Sequence, residues 1–256
     1  MPIICKVKIK YREASDCIPA GVQSFFIFFL TLQSPSCIIS LWLDLFNFCN
    51  SSLTINPIYG CSYYTLTWCK EVFILERCLI EFCSSTLASI KAASLFNITF
   101  LSKEDAEGQI RFWNIQLKIK GVRLFLLRFQ GNRALIYVYR EKQLASRLNS
   151  PEVAEFLHSY GYDDIHLSAA LARLRDRISA NRDFPHEIGI FLDYPLGDVR
   201  GFIANSGRNF KCVGCWKVYC DECACRKKFA QFRKCRDVYL RLWEQGRSVL
   251  QLTVAA

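Results

Sequence analysis

The chain has 256 residues, 52% of them hydrophobic, which is enough for one or two domains with a substantial core. Its net charge of +10 is uneven: residues 204–256 hold eleven Lys and Arg against four acids, so the basic character belongs to the C-terminal fifth. No GxGxxG, no Walker-type phosphate loop and no GxSxG elbow occurs, so dinucleotide, nucleoside triphosphate and α/β-hydrolase chemistry have no motif support.

Cysteines cluster as well. Eight of the 14 lie at or before Cys83 and six lie between Cys212 and Cys235, with none from 84 to 211. A secreted disulfide scaffold is smaller and more evenly stapled, so these read as reduced intracellular thiols. The N-terminal stretch is unlike a soluble surface: Asp44 is the only charged residue between Cys17 and Cys69. Lys6, Lys8, Lys10 and Arg12 ahead of the apolar run Phe25–Leu30 resemble a signal peptide, but the run is short and no small-x-small cleavage site comes after it. A membrane span needs about 20 apolar residues, and here Gln33-Ser34-Pro35-Ser36 divides the segment into 22–32 and 37–49. The preferred reading is translated upstream sequence. The segment has no helical or strand period and no caps, and no methionine occurs after Met1, which fits a start at a non-AUG codon near Val72 or Leu75. Residues 1–71 are therefore expected to be a non-native extension or a poorly ordered apolar segment, and 72–256 a single α/β domain without a membrane segment.

From residue 71 the pattern becomes regular. Leu75, Leu79, Phe82, Cys83, Leu87 and Ile90 fall close to helical spacing, predicting a buried-face helix over 74–91. Ala92–Phe100 reads as a short strand. Ser102-Lys103-Glu104-Asp105 offers a cap for a helix ending near Gly121. Val122–Phe129 and Ala134–Arg140, separated by Gln130-Gly131-Asn132-Arg133, predict a hairpin placed centrally in a sheet. Ser150-Pro151 starts a helix that stops before Gly161, and Asp163 or Asp164 starts another. Its apolar stripe is Leu167, Leu171, Leu174 and Ile178, with Arg173, Arg175 and Arg177 as solvated charge on other faces. Cys215–Tyr219 reads as a strand, Asp221 to about Glu244 as the last long helix, and Val249–Val254 as a closing strand. The interspersed elements predict an α/β or α+β layered domain, a small mixed sheet flanked by helices.

The most particular segment is Phe184–Ile203, with a histidine, two prolines and three glycines in mostly apolar surroundings. Pro185 favours a helix start near Asp183 or Phe184, which puts Glu187 in the first turn and keeps His186 neutral against the positive helix end. Tyr194-Pro195 ends that helix, and Pro195 opens a second one running to about Ile203. Two short helices around a sharp bend result.

Residues 73–256 resemble the uncharacterised bacterial family known as domain of unknown function 3793. The resemblance rests on Leu75–Phe96, Tyr137-Val138-Tyr139-Arg140, Phe184–Ile203, Gly214–Tyr219 and Lys234-Cys235, in that order. Three departures stand out: Asp193 replaces the family's usual glycine, Ser84-Ser85 an Ala-Pro pair, and Cys215 a tyrosine. The resemblance implies a cytosolic protein, largely of anaerobic Gram-positive bacteria, without an assigned activity. It also implies redox or iron-metabolism proteins as partners, and its start near residue 73 agrees with the boundary drawn above.

Three clusters carry candidate chemistry. His186 and Glu187, joined by Tyr194 and Asp198, can line a ligand or metal pocket; the simpler reading has His186 in a buried polar contact and Glu187 capping a helix. Cys212, Cys215, Cys220 and Cys223, with Cys225 close by, form two Cys-x2-Cys pairs that can supply four thiolates to a metal. Only four residues separate the pairs, against about 15–20 in a zinc ribbon, so ordinary thiols are the simpler reading. Arg226, Lys227, Arg233, Lys234 and Arg241 form a stripe that can meet phosphates, with Trp216 or Trp243 for stacking; solvated helix charge is the commoner case. No pattern names a catalytic residue or a cofactor. The leading expectation is a cytosolic accessory or binding protein with a pocket near His186, linked to iron or redox metabolism. A basic nucleic-acid-binding or regulatory protein using the C-terminal helix comes second, and a small-molecule enzyme third.

Overall fold

A computed structural model describes residues 63–180 and 184–255, with side chains from Ile74 onward. The readings made for residues 1–62 and for a helix start at Asp183 lie outside the described residues; a start at Phe184 is corrected, since the helix there begins only at Ile188. Helix α1 (Tyr63–Leu87) buries Leu75, Leu79, Cys83 and Leu87 along one stripe, as the spacing predicts, but stops at Leu87 rather than Lys91. Strand β1 (Ala93–Thr99) comes next. Helix α2 (Lys103–Leu117) begins where the Ser102 hydroxyl accepts the Asp105 amide at 3.1 Å. A 3-10 turn (Lys118–Lys120) then closes on Gly121, whose φ of 67° is the left-handed exit that glycine permits.

Strands β2 (Val122–Gln130) and β3 (Arg133–Arg140) form the expected hairpin, and β1 pairs with the other edge of β3. The order is β1-β3-β2, so β3 is central and β2 is an edge strand, a correction to placing both centrally. Every pairing is antiparallel rather than mixed. Alternation along β3 serves two cores. Leu135, Tyr137 and Tyr139 face one side, while Ala134, Ile136 and Val138 face the other. A sheet buried on both faces has no polar face, which is why β3 reads as a continuous apolar run.

On the first face lie helices α3 (Glu141–Leu148), α4 (Pro151–His158) and α5 (Leu167–Ala180), and then the short helices α6 (Ile188–Phe191) and α7 (Leu196–Ala204). Helix α3 had no counterpart among the predicted elements, and α5 starts at Leu167, not at Asp163 or Asp164. The second face is covered by α1, α2 and the far end of helix α8 (Glu222–Glu244), through Tyr239, Leu240 and Trp243. Between α7 and α8 the predicted strand Cys215–Tyr219 is instead a small hairpin, β4 (Cys212–Val213) with β5 (Lys217–Val218). The predicted closing strand is also corrected: Val249–Leu252 is a single helical turn, α9, begun by a capping box between Ser248 and Gln251. The layered α/β architecture stands, and Glu71–Ala256 is one compact unit. Among the described residues no helix is long and apolar enough to cross a membrane.

Arg140, at the end of β3, is 2% exposed and has no carboxylate partner among the described residues. Its guanidinium instead donates to the carbonyls of Thr86 (2.6 Å), Leu87 (2.5 Å) and Val254 (2.9 Å). A helix ends with unpaired carbonyls and partial negative charge, so a buried cation there ties α1, the sheet and the C-terminal tail together.

Candidate functional site

The bend between α6 and α7 is held from several distant places. The Tyr137 hydroxyl donates to the Phe191 carbonyl at 2.5 Å, the Ala92 amide donates to Asp193 Oδ2 at 3.1 Å, and Arg147 Nη2 donates to the Tyr194 carbonyl at 2.8 Å. Asp193 has a φ of 62°, so the bend does pass through the left-handed region. Aspartate is among the non-glycine residues that enter that region most readily, and here its carboxylate is held by the distant Ala92 amide. A glycine, usual for the family at this position, is therefore not required for the bend.

Asp198 opens α7 and joins three elements through one side chain. It is 2% exposed; Oδ1 accepts the amides of Tyr219 and Cys220 at 2.8 Å each, and Oδ2 accepts Trp216 Nε1 at 2.8 Å and the Cys225 thiol at 3.5 Å. One carboxylate thus fixes the β4–β5 hairpin and the start of α8 against α7. Burial, and next the Asp198 carboxylate, push the Cys225 thiol up to about 11. The Trp216 ring stacks on Tyr194 (4.8 Å between centroids) and meets Phe229 edge-on (4.6 Å). Gly214 is needed here, because a Cβ on it would overlap the Phe229 ring.

Between these pieces lies a notch of about 40 Å³. His186, Tyr194 and Asp198 line it together with Phe202, Cys215, Trp216 and Lys217. His186 is exposed at the rim, edge-on to Phe202 at 5.0 Å. Lys217 Nζ donates to the Gly207 carbonyl at 2.6 Å and lies 4.9 Å from the Phe210 ring centre. Three of the four predicted pocket residues therefore meet.

Glu187 does not join them. It is 1% exposed and faces away, accepting Arg177 Nε at 2.5 Å and the Tyr162 hydroxyl at 3.2 Å. Glu187 precedes a helix of only four residues and makes no side-chain cap, so neither the predicted capping role nor the predicted dipole effect on His186 has a helix to act through. Arg177 is correspondingly no solvated surface charge. Burial, and then Glu187, push the Tyr162 phenol far up.

The cysteines separate in the same way. Cys212 and Cys225 are buried with Trp216, Val218 and Phe229, while Cys215, Cys220 and Cys223 are exposed. Among the described residues no three His, Cys, Asp or Glu side chains are grouped to hold a metal ion. On α8, Arg226, Lys227, Lys234 and Arg241 are all exposed, with Arg226 paired to Glu222 at 2.6 Å. Trp216 is buried and so not on hand for base stacking, and Trp243 packs on the second core.

One residue escaped the sequence reading. Lys91, in the turn after α1, is 9% exposed; its Nζ lies 5.2 Å from the Tyr194 ring centre and 5.9 Å from that of Phe232. Burial pulls its pKa down, opposed by Cys215, Asp193 and Cys83. Nothing in the surrounding sequence marks a lysine in a turn as buried.

The family model described as Protein of unknown function (DUF3793) matches residues 79–253. The chain belongs to that family. No curated protein and no solved structure matches it. In this DUF3793 member the motif segments meet around the bend: Tyr137 holds it from behind, Phe184–Ile203 forms it, and Gly214–Tyr219 closes its front.

Proposed function

We propose that this protein is a cytoplasmic bacterial accessory protein that docks an acidic partner by taking one protruding apolar group into the notch. The observation that carries this reading is the convergence of His186, Tyr194 and Asp198, from one bend, with Cys215, Trp216 and Lys217, from one hairpin, on a single concavity. Its size decides between binding modes. About 40 Å³ holds a group the size of a few waters, whereas sites that engulf a metabolite measure about 300–1,000 Å³. A side chain or a chain end fits; a cofactor does not. The surroundings select the partner's charge, since Lys211, Lys217 and the exposed cations of α8 belong to the most basic part of the chain. The family resemblance points to redox or iron-metabolism proteins within that acidic class.

The test is fluorescence polarisation with labelled acidic peptides that each carry one leucine or phenylalanine. Burying such a side chain is worth about 1.5–3 kcal/mol, so its replacement by alanine, or Tyr194→Ala in the protein, should weaken binding by about 10- to 100-fold. Binding that ignores both changes would refute the reading. A second reading, contact with nucleic-acid phosphates, is favoured by the exposure of Lys227, Lys234 and Arg241 at seven-residue spacing along one face of α8. Heparin retention that survives reversal of Arg226, Lys227, Lys234 and Arg241 would remove it.

A further inference from the structure

The two outer edges of the sheet are finished differently. On the β2 edge, Asn114 of α2 stands in for a neighbouring strand: its Nδ2 donates to the Leu124 carbonyl at 3.0 Å and its Oδ1 accepts the Leu124 amide at 2.7 Å. That strand also carries Arg123 and Arg128 and an irregular register between Leu126 and Arg128. Charge, a bulge and a covered backbone are the devices by which edge strands avoid pairing with other chains. The β1 edge has none of them. Its sequence, Ala93-Ser94-Leu95-Phe96-Asn97-Ile98-Thr99, holds no charge and no proline, and its register with β3 is unbroken. The Arg140 amide donates to the Ala92 carbonyl and the Phe100 amide to the Asn132 carbonyl, at 2.9 Å each. The even-numbered residues of β1 therefore turn their backbone groups to β3, and Leu95, Asn97 and Thr99 turn theirs outward. Among the described residues no hydrogen bond meets that outward row, and Asn97 and Thr99 are exposed. Leu101, two residues further on, is a large apolar side chain left 65% exposed.

We propose that β1 is a self-association edge: two copies of the chain pair β1 against β1, antiparallel about a two-fold axis at Asn97, and join their three-stranded sheets into one of six strands. Leu95 then lies opposite Thr99 of the second copy, Asn97 opposite Asn97 and Thr99 opposite Leu95, and each pair exchanges two backbone hydrogen bonds. Charge selects this occupant. A two-fold pairing brings any charge near the axis against its own like, which destabilises a ladder. Strand β1 has none to bring, whereas β2 would meet itself with two arginines. An uncharged strand is the complement of an uncharged strand. Size sets the strength: three residue pairs fall well short of the about 20–30 residues a side of a standard interface, so the dimer is weak and forms as concentration rises. The edge shares no residue with the notch, so this pairing is independent of the docking reading.

Sedimentation velocity of the full chain over a range of concentrations gives the dimer constant. Asn97→Pro keeps every bond to β3, because the Asn97 amide points outward, but removes both N–H donors at the axis and should weaken the dimer by about 30-fold. Asn97→Lys and Asn97→Asp each set like charges face to face and should weaken it by about fivefold, while an equimolar mixture of the two should recover the strength of the unaltered chain. Asn97 is exposed, so neither charge is buried within its own chain. A chain that stays monomeric up to about 1 mM, a dimer that ignores both Asn97→Pro and Asn97→Lys, or a mixture no stronger than either charged variant alone would overturn the assignment. If Asn97→Pro fails to fold by circular dichroism, the two charged variants and their mixture decide alone.

Discussion

Removing the Asp198 carboxylate should loosen the whole β4–β5 hairpin. Three N–H groups reach that carboxylate at 2.8 Å, two from the backbone at Tyr219 and Cys220 and one from the Trp216 indole, and the carboxylate itself is 2% exposed. A hydrogen bond to a charged group contributes about 1.5–3 kcal/mol, and a buried donor left without a partner costs about 1–3 kcal/mol. These contributions overlap, and water can reach the part-buried amides, so Asp198→Ala should cost about 3–5 kcal/mol. Asp198→Asn offers a finer test. Its carbonyl can take the place of Oδ1 and keep both amides, but its NH2 group then faces the Trp216 N–H, donor against donor, for a loss of about 2 kcal/mol. Urea unfolding monitored by far-UV circular dichroism gives both numbers, and near-UV circular dichroism reports the loss of the Trp216–Tyr194 stack. A cost below about 1 kcal/mol for Asp198→Ala, or an Asn variant as damaged as the Ala variant, would show that the carboxylate is not what anchors the hairpin.

Arg177→Met leaves Glu187 as a buried carboxylate whose remaining partner is the Tyr162 hydroxyl, and should cost about 3–5 kcal/mol by urea unfolding; a change under about 1 kcal/mol would contradict the burial of the pair. Burial raises the Cys225 thiol to about 11 in the folded chain, against about 8.5 when unfolded. Its contribution is therefore complete below pH about 8.5 and lost as pH rises through 11, so the urea midpoint should fall over that range and fall less steeply in Cys225→Ala. Residues 72–256 expressed alone should be soluble and unfold cooperatively, because Glu71–Ala256 is one compact unit; an insoluble product would argue against reading residues 1–71 as dispensable.

Elements whose signal is local were legible in the sequence. The Leu75–Leu87 stripe, the Ser102 cap, the helix start at Asp221, the Gly121 exit and the Gly131-Asn132 turn each act within a few residues, and each is where the pattern puts it to within a residue. Helix α3 was not, because it buries only Leu144 and Leu148 and its other residues read as a polar loop. Helix α9 shows alternating apolar residues that suit a strand; Ser248 and Gln251 already held the opposing signal. For the site, the lesson is one of partners. His186, Tyr194 and Asp198 were found because they share one segment, whereas Glu187 belongs to a pair with Arg177, and Lys91 and Trp216 come from segments that meet only through the fold. Burial of a charge is decided by its partner, and the partner's address is tertiary.

The same point explains why the bend is so firmly tied. Phe191, Asp193 and Tyr194 are held by Tyr137, Ala92 and Arg147 respectively, so three separate parts of the chain fix three residues of one four-residue stretch. A loop that merely joins two helices needs no such agreement, and here it forces a non-glycine residue into the left-handed region at a cost of about 1 kcal/mol. Asp193→Gly separates the two contributions. Glycine removes the backbone cost but also the acceptor of the Ala92 amide, worth about 1 kcal/mol, so global stability should change by less than about 1 kcal/mol. The tether to the turn that holds Lys91 would nevertheless be gone. Hydrogen exchange at Ala92 should therefore quicken in the variant while Tyr194, still held by Arg147, keeps its place on Trp216. Unchanged exchange at Ala92 would mean that Asp193 serves the bend alone, and that the Lys91 turn is positioned by packing.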